Sequence, residues 1–208
     1  MKKFDILAER LLGDIKPTSN SAVFTFGRMN PPTQGHQLVI NKVIETGRVH
    51  SADHFIFVSR TVNKDNPLEY ENKLNFINEM APHANVMNVD MANNPFNAAY
   101  WLRDKGYKEV IMIAGSDRVD QYQSAFAKYL QHEDPEKSFN FESFEVVSAG
   151  TRDPDAKDVK GFSSTTAKQM AVEGDWSGFK RIAPTALSGE SRMSLYTQVR
   201  RGLGAESS

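Results

Sequence analysis

An open parallel α/β sheet with helices on both faces is the fold class that this sequence predicts. Three observations carry it. Five short apolar runs of strand length recur along the chain. Helix-like segments separate them one by one, the alternation that builds strand–helix–strand units. Several of the runs are apolar almost without interruption, as strands covered on both faces are.

The elements follow in order. Over residues 3–15, Phe4, Leu7, Leu11, Leu12 and Ile15 fall on one side of a helix. Packing on the domain is its expected role; partner docking or a membrane surface is the alternative. Pro17-Thr18-Ser19-Asn20-Ser21 ends it, and residues 22–27 form the first strand. Further strands are expected at 54–58, 85–89 (the weakest), 109–114 and 141–147. Helices are expected at 34–47, 68–80, 95–105 and 117–131. The polar stretch 153–161 reads as a mobile loop. A helix starts across 167–172, short ones follow near 175–182 and 190–201, and the tail after Gly202 frays. The expected organisation is a helical extension (1–20), a main domain (21–185), and a C-terminal helix with its tail (186–208).

Composition narrows the function. The chain has 208 residues, enough for one substantial core, with 39% hydrophobic and 25% charged residues. A net charge of -1 gives no electrostatic case for nucleic acid or an acidic membrane as main partner. There is no cysteine, so disulfides and thiolate metal sites are excluded. No apolar run approaches the ~20 residues that span a bilayer. Asp5, Glu9 and Arg10 interrupt what would be the apolar part of a signal peptide. A cytoplasmic protein is the expectation.

Ligands of such sheets bind at the carboxyl ends of the strands, and the informative residues lie there. After the first strand comes Gly27-Arg28-Met29-Asn30-Pro31-Pro32-Thr33-Gln34-Gly35-His36. Gly27 permits close approach, and two prolines stiffen the turn. Gly35 leaves space in the first helical turn, whose N–H groups form an anion site. His36 can donate to a phosphate oxygen there. The alternative is a helix-capping loop with Thr33 as N-cap and His36 as a surface or core histidine; the coincidence of strand, rigid loop, glycine and histidine favours the anion site. Late in the chain, Ser163, Ser164 and Thr165 put three hydroxyls at a helix start, with Lys168 following. They can cap the helix and bind phosphate. After the fourth strand, Gly115 allows close approach, and Asp117 can accept from a sugar hydroxyl or cap the next helix. After the second strand, Arg60, Lys64 and Lys73 are anion contacts or solvated charges, with Lys73 about one turn into a helix and facing the site.

The segment 27–36 resembles the (H/T)xGH signature of the nucleotidylyltransferase superfamily. Gly161-Phe162-Ser163-Ser164-Thr165-Thr166-Ala167-Lys168 resembles its late ISSTxxR motif, with lysine where arginine is usual. Lysine is a point charge rather than a fork. Ile113-Ala114-Gly115-Ser116-Asp117 is similar to the glycine–aspartate element beside the nucleotide. The resemblance covers about residues 21–185 and implies a Rossmann-like fold.

It also implies an activity: transfer of a nucleoside monophosphate, AMP from ATP by preference, to a phosphate-bearing acceptor such as nicotinamide mononucleotide, releasing pyrophosphate. The alternatives are a CTP-dependent cytidylyltransferase acting on a phospho-alcohol, and a nucleotide-binding or assembly protein without turnover. The implied roles follow. Thr33 and His36 contact the triphosphate; Ser163, Ser164, Thr165 and Lys168 close over its distal phosphates. Lys73, with Arg28, Arg60 and Lys64, steers phosphate. Gly115 and Asp117 line the nucleoside. Mg²⁺ arrives with the triphosphate rather than in a protein carboxylate cage. Phe96, Tyr100, Trp101 and Tyr122 either stack on a pyridine ring or belong to the core. Homo-oligomers are common among such proteins and possible here.

Overall fold

The computed structural model describes residues 15–150 and 163–205. The expected helix over 3–15, apart from its last residue, and the loop 153–161 lie outside the described residues, as do Gly161 and Phe162. Five strands, β1 (Ser21–Gly27), β2 (Asp53–Val58), β3 (Asn85–Met87), β4 (Glu109–Ala114) and β5 (Ser143–Ser148), form one sheet. Its order is β3-β2-β1-β4-β5, and every pairing is parallel. The described helices are α1 (Gln34–Val49), α2 (Tyr70–Met80), α3 (Pro95–Asp104), α4 (Val119–Leu130), α5 (Ser164–Glu173), α6 (Trp176–Ile182) and α7 (Gly189–Gly202). The expected fold class is the one observed.

By contact, the described residues sort into two compact units. The first takes in 15–27, Val39–Val58 and 83–150; the second takes in Arg28–Leu38, Ser59–Pro82 and 163–205. The first unit holds the whole sheet. Alternation along the central strands sends side chains to two cores. Ala22 and Phe24 of β1 and Val110 and Met112 of β4 meet α3 and α4 on one face. Val23 and Ile113 meet Val39 and Val43 of α1 on the other. Both faces are therefore covered, which explains why these strands read as unbroken apolar runs.

Boundaries moved where local chemistry outweighs pattern. β3 keeps three of the five expected residues. The expected 117–131 helix opens as a 3-10 turn over Ser116–Arg118 before α4 begins. α2 starts at Tyr70 rather than 68, because the Leu68 backbone is engaged elsewhere, as described below. Caps set the remaining starts: Asn94 accepts from Asn97 N–H at 2.9 Å, with Pro95 at the first helical position. Ser188 accepts from Ser191 N–H at 3.0 Å.

The amino ends of the strands are fastened by side chains. Asp53, first residue of β2, accepts from the Thr18 N–H at 2.7 Å, from the Thr18 hydroxyl, and from the Tyr107 hydroxyl at 2.8 Å. Ser21, first residue of β1, donates to the Glu109 carboxylate at 2.6 Å. These bonds leave the opposite, carboxyl edge for the loops.

Candidate functional site

Within the sheet unit, the chain order reverses between β1 and β4. From β1 it builds outward through β2 and β3, then returns to the other side of β1. Such a switch point opens a crevice at the carboxyl ends of the two strands. Phe24 pairs with Met112, and Gly27 and Gly115 each lie three residues further on. The β1–β4 pairing ends at Phe24 and Met112, so both glycines follow the last residues of that pairing. Asp117 sits beyond, exposed in the 3-10 turn, with its carboxylate 3.9 Å from the Arg118 Nε. It caps neither turn nor helix: the residues at both cap positions, Gly115 and Arg118, make no side-chain cap bond. The capping alternative for Asp117 is therefore set aside.

The second unit holds the remaining candidates. Thr33 stands at the N-cap position of α1, and Gln37 N–H bonds to its carbonyl at 3.1 Å. The capping is done by His36, not by Thr33. The Thr33 N–H donates to His36 Nδ1 at 3.1 Å, and the Thr33 hydroxyl lies 3.0 Å from the same nitrogen. A backbone N–H can only donate, so Nδ1 accepts, and the neutral ring carries its proton on Nε2. A donor is thereby fixed in the first turn, beside N–H groups that precede the helical ladder.

The late motif divides its three hydroxyls. Ser163 caps α5, accepting from Thr166 N–H at 3.0 Å. Ser164 donates to the Pro31 carbonyl at 2.8 Å, joining the two sequence motifs across 133 residues of sequence. Thr165 is exposed at the helix start. Ser163 and Ser164 are thus committed to protein partners, a finer division than the joint phosphate cradle expected from the sequence. Lys168 donates its Nζ to the Asp65 carbonyl. This holds the segment Thr61–Asn66, itself pinched by a bridge between Asn63 and Asn66. Arg28, Arg60 and Lys64 are exposed. The Arg60 guanidinium lies 4.1 Å over the Tyr70 ring, a contact that limits its freedom.

Lys73 departs from expectation. It lies one turn into α2, as expected, but it is fully buried rather than facing an open site. Its ammonium donates to the Ser59 carbonyl, just past β2. Burial pushes its pKa down from 10.5 to about 8. Unfolded, the same lysine binds its proton more tightly, so between about pH 8 and pH 10.5 the unfolded chain holds more protons than the folded one. Stability from this group therefore rises with pH across that window and is flat below it. Urea unfolding of the wild type and of Lys73→Met should show the wild type gaining on the variant from neutral to alkaline pH. Parallel curves would contradict the burial of this ammonium.

The aromatic alternative is settled by packing. Trp101 meets Phe55 and Phe57 edge-on at 5.5 and 5.7 Å. Phe96 stacks on Phe126 at 4.6 Å, and Tyr122 meets Phe126 at 6.3 Å. Tyr100 lies 4.6 Å from Phe139. All four belong to the sheet unit's core or its margin, so the pyridine-stacking surface is withdrawn.

Four residues that the sequence reading left without a role build this site. Asn30 binds the Leu68 backbone. Tyr70 underlies Arg60. Gln34 donates to the Arg181 carbonyl at 2.6 Å, and Gln37 accepts from Ala186 N–H at 3.1 Å, fixing the first turn of α1 to the segment that includes the end of α6. The glutamines stand in a helix beside a quoted motif, but side-chain-to-backbone partners so distant in sequence leave no local signal.

The sequence matches no family model and no curated protein. Solved structures do match. One is a Plasmodium falciparum nicotinic acid mononucleotide adenylyltransferase complexed with NaAD, 12% identical, with a TM-score of 0.58 over 88% of this chain and 97% of that one. Another is the same enzyme complexed with APC, 14% identical, with a TM-score of 0.55 over 85% and 97%. The fold is shared with these adenylyltransferases. No described helix is long and apolar enough to cross a membrane.

Proposed function

We propose that the protein is a nucleotidylyltransferase that moves AMP from ATP to the phosphate of a pyridine mononucleotide, nicotinamide or nicotinic acid mononucleotide, and releases pyrophosphate. The observation that carries this reading is the Ser164–Pro31 bond, which brings the late hydroxyl motif to the loop that starts the His36 helix. The shared fold with a nicotinic acid mononucleotide adenylyltransferase supports the choice of acceptor class.

In this reading an acceptor phosphate oxygen attacks the α-phosphorus of ATP in line. A new P–O bond forms, the bond to the bridging oxygen breaks, and pyrophosphate leaves with the electron pair. The protein contributes position and charge rather than covalent chemistry. His36 Nε2–H and the first-turn N–H groups of α1 receive the growing charge on the phosphate oxygens, with Thr33 beside them. Thr165 and Lys168 take the distal phosphates, and Ser163 and Ser164 hold that helix start in place. Arg28, Arg60 and Lys64 steer the anions inward. Lys73 acts by holding the Ser59 carbonyl, and Gly115 and Asp117 are the proposed nucleoside contacts.

The groups proposed here for the phosphates are N–H, hydroxyl and ammonium donors, which suit phosphate oxygens and not a cation. Mg²⁺ would accordingly travel on the triphosphate's own oxygens, and no step here is assigned to it. Lys168→Ala should raise the triphosphate KM by about tenfold, the size of a lost charge-assisted hydrogen bond, with circular dichroism unchanged. An unaltered KM and rate would remove Lys168 from the phosphate site.

Pyrophosphate release tests the whole reading. The protein is incubated with Mg²⁺ and each of ATP, CTP, GTP and UTP against nicotinamide mononucleotide, nicotinic acid mononucleotide, phosphopantetheine, glycerol 3-phosphate and phosphocholine. Release with ATP and a pyridine mononucleotide is expected. Release with CTP and a phospho-alcohol would replace this reading by a cytidylyltransferase. Triphosphate binding with no release from any pair would favour a nucleotide-binding protein.

A further inference from the structure

We propose that Asn30 is a positioning residue for the transfer reaction, one that never touches substrate; the inference rests on the transferase reading above. Asn30 is 2% exposed. Its carboxamide spends both ends on a single residue. Oδ1 accepts from the Leu68 N–H at 2.9 Å, and Nδ2 donates to the Leu68 carbonyl at 3.1 Å. Leu68 is itself 1% exposed and lies just before α2, in neither strand nor helix. Its peptide groups have no ladder to join, and a buried peptide group must find a partner. The Asn30 side chain supplies that partner for both groups at once.

Each side of this clamp leads to proposed chemistry. Asn30 stands between Met29 and Pro31. Met29 holds a φ of 45°, a left-handed conformation that a non-glycine residue keeps only where its surroundings enforce it. Pro31 receives the Ser164 hydroxyl. Five residues further along, His36 lies in the first turn of α1. On the other side, Leu68 leads into Tyr70, under Arg60, and into Lys73, on the Ser59 carbonyl. The end of α7 passes so close to the residue before Leu68 that a side chain at Gly202 would strike the Pro67 carbonyl. One carboxamide therefore sets the Arg60 segment against the loop that opens the His36 helix. The groups that receive the two reacting phosphates are placed relative to each other through it, and small misplacements at such a distance are costly to rate.

Aspartate has the same shape and only acceptors when ionised. At Asn30 it would turn a carboxylate oxygen toward the Leu68 carbonyl. Protonated, it regains one donor and one acceptor and reproduces the clamp. The test uses the full chain as wild type, Asn30→Asp and Asn30→Ala, with the substrate pair that releases pyrophosphate. Turnover and KM are followed from about pH 8 to about pH 5.5, the range in which a buried carboxyl titrates, and normalised to the folded fraction by circular dichroism.

At the alkaline end, Asn30→Asp should lose about tenfold or more in kcat while the triphosphate KM stays within about threefold. Its deficit relative to wild type should shrink as pH falls, and that of Asn30→Ala should stay constant. A folded Asn30→Asp with wild-type kcat at the alkaline end, or with the same deficit at every pH, overturns the proposal. If Asn30→Ala does not fold, Asn30→Asp decides alone. If neither folds at any pH, Asn30 serves folding only and the proposal fails. A silent wild-type protein removes the transferase reading and this inference with it; an active wild type beside an equally active Asn30→Asp removes this inference alone.

Discussion

His36→Ala should lower turnover by ~10²-fold or more, the usual loss when one preorganised donor to a developing oxyanion is deleted. The argument begins with a proton. Because Thr33 N–H already occupies Nδ1, the ring needs no added charge to donate from Nε2. Alanine removes both that donor and the acceptor that orders the N-cap. The Thr33 N–H that loses its partner is buried, Thr33 being 1% exposed, so kcat is normalised to the folded fraction by circular dichroism. The measurement is kcat with the identified substrate pair, and a variant that turns over like the wild type would end the assignment of His36.

Phe126→Ala should destabilise the sheet unit by about 3–5 kcal/mol, the range for a buried phenylalanine truncated to alanine. Phe126 is fully buried. Its ring stacks on Phe96 at 4.6 Å and on Phe144 at 4.8 Å, and lies 5.6 Å from Phe139. Removing it opens a cavity bounded by flat rings that cannot collapse into it without leaving their own stacks. Urea denaturation of the purified variant measures the loss. A change under about 1 kcal/mol would mean that the cluster repacks and is not the rigid core described here.

The sheet was legible in the sequence because its strands are buried on both faces, and burial writes itself as unbroken apolar runs such as Val110 to Ala114. Loops after strands were legible as a location for function, since glycine and proline there serve no packing purpose. Partners were not legible. Lys73 and Lys168 look alike in sequence as surface cations, yet one is enclosed against Ser59 and the other reaches Asp65 at the surface. Nothing local distinguishes them, because the difference lies in what the rest of the chain places around each. The aromatics of α3 carried the same ambiguity: helical spacing fits a core and a binding face equally, and only the contacts of Trp101 and Phe96 decide. Asn30 was invisible as a clamp because its partner is a backbone, which has no residue identity to read.

The fastening of the strands' amino ends by Asp53, Thr18, Tyr107, Ser21 and Glu109 has a consequence for how this protein can change. Its strand-fastening residues and those of its proposed chemistry are different residues. Loops at the carboxyl edge can then accept new lengths and new side chains without loosening the bonds that hold the strands in register. A lineage built this way can drift far in sequence and exchange one substrate for another while its backbone path persists.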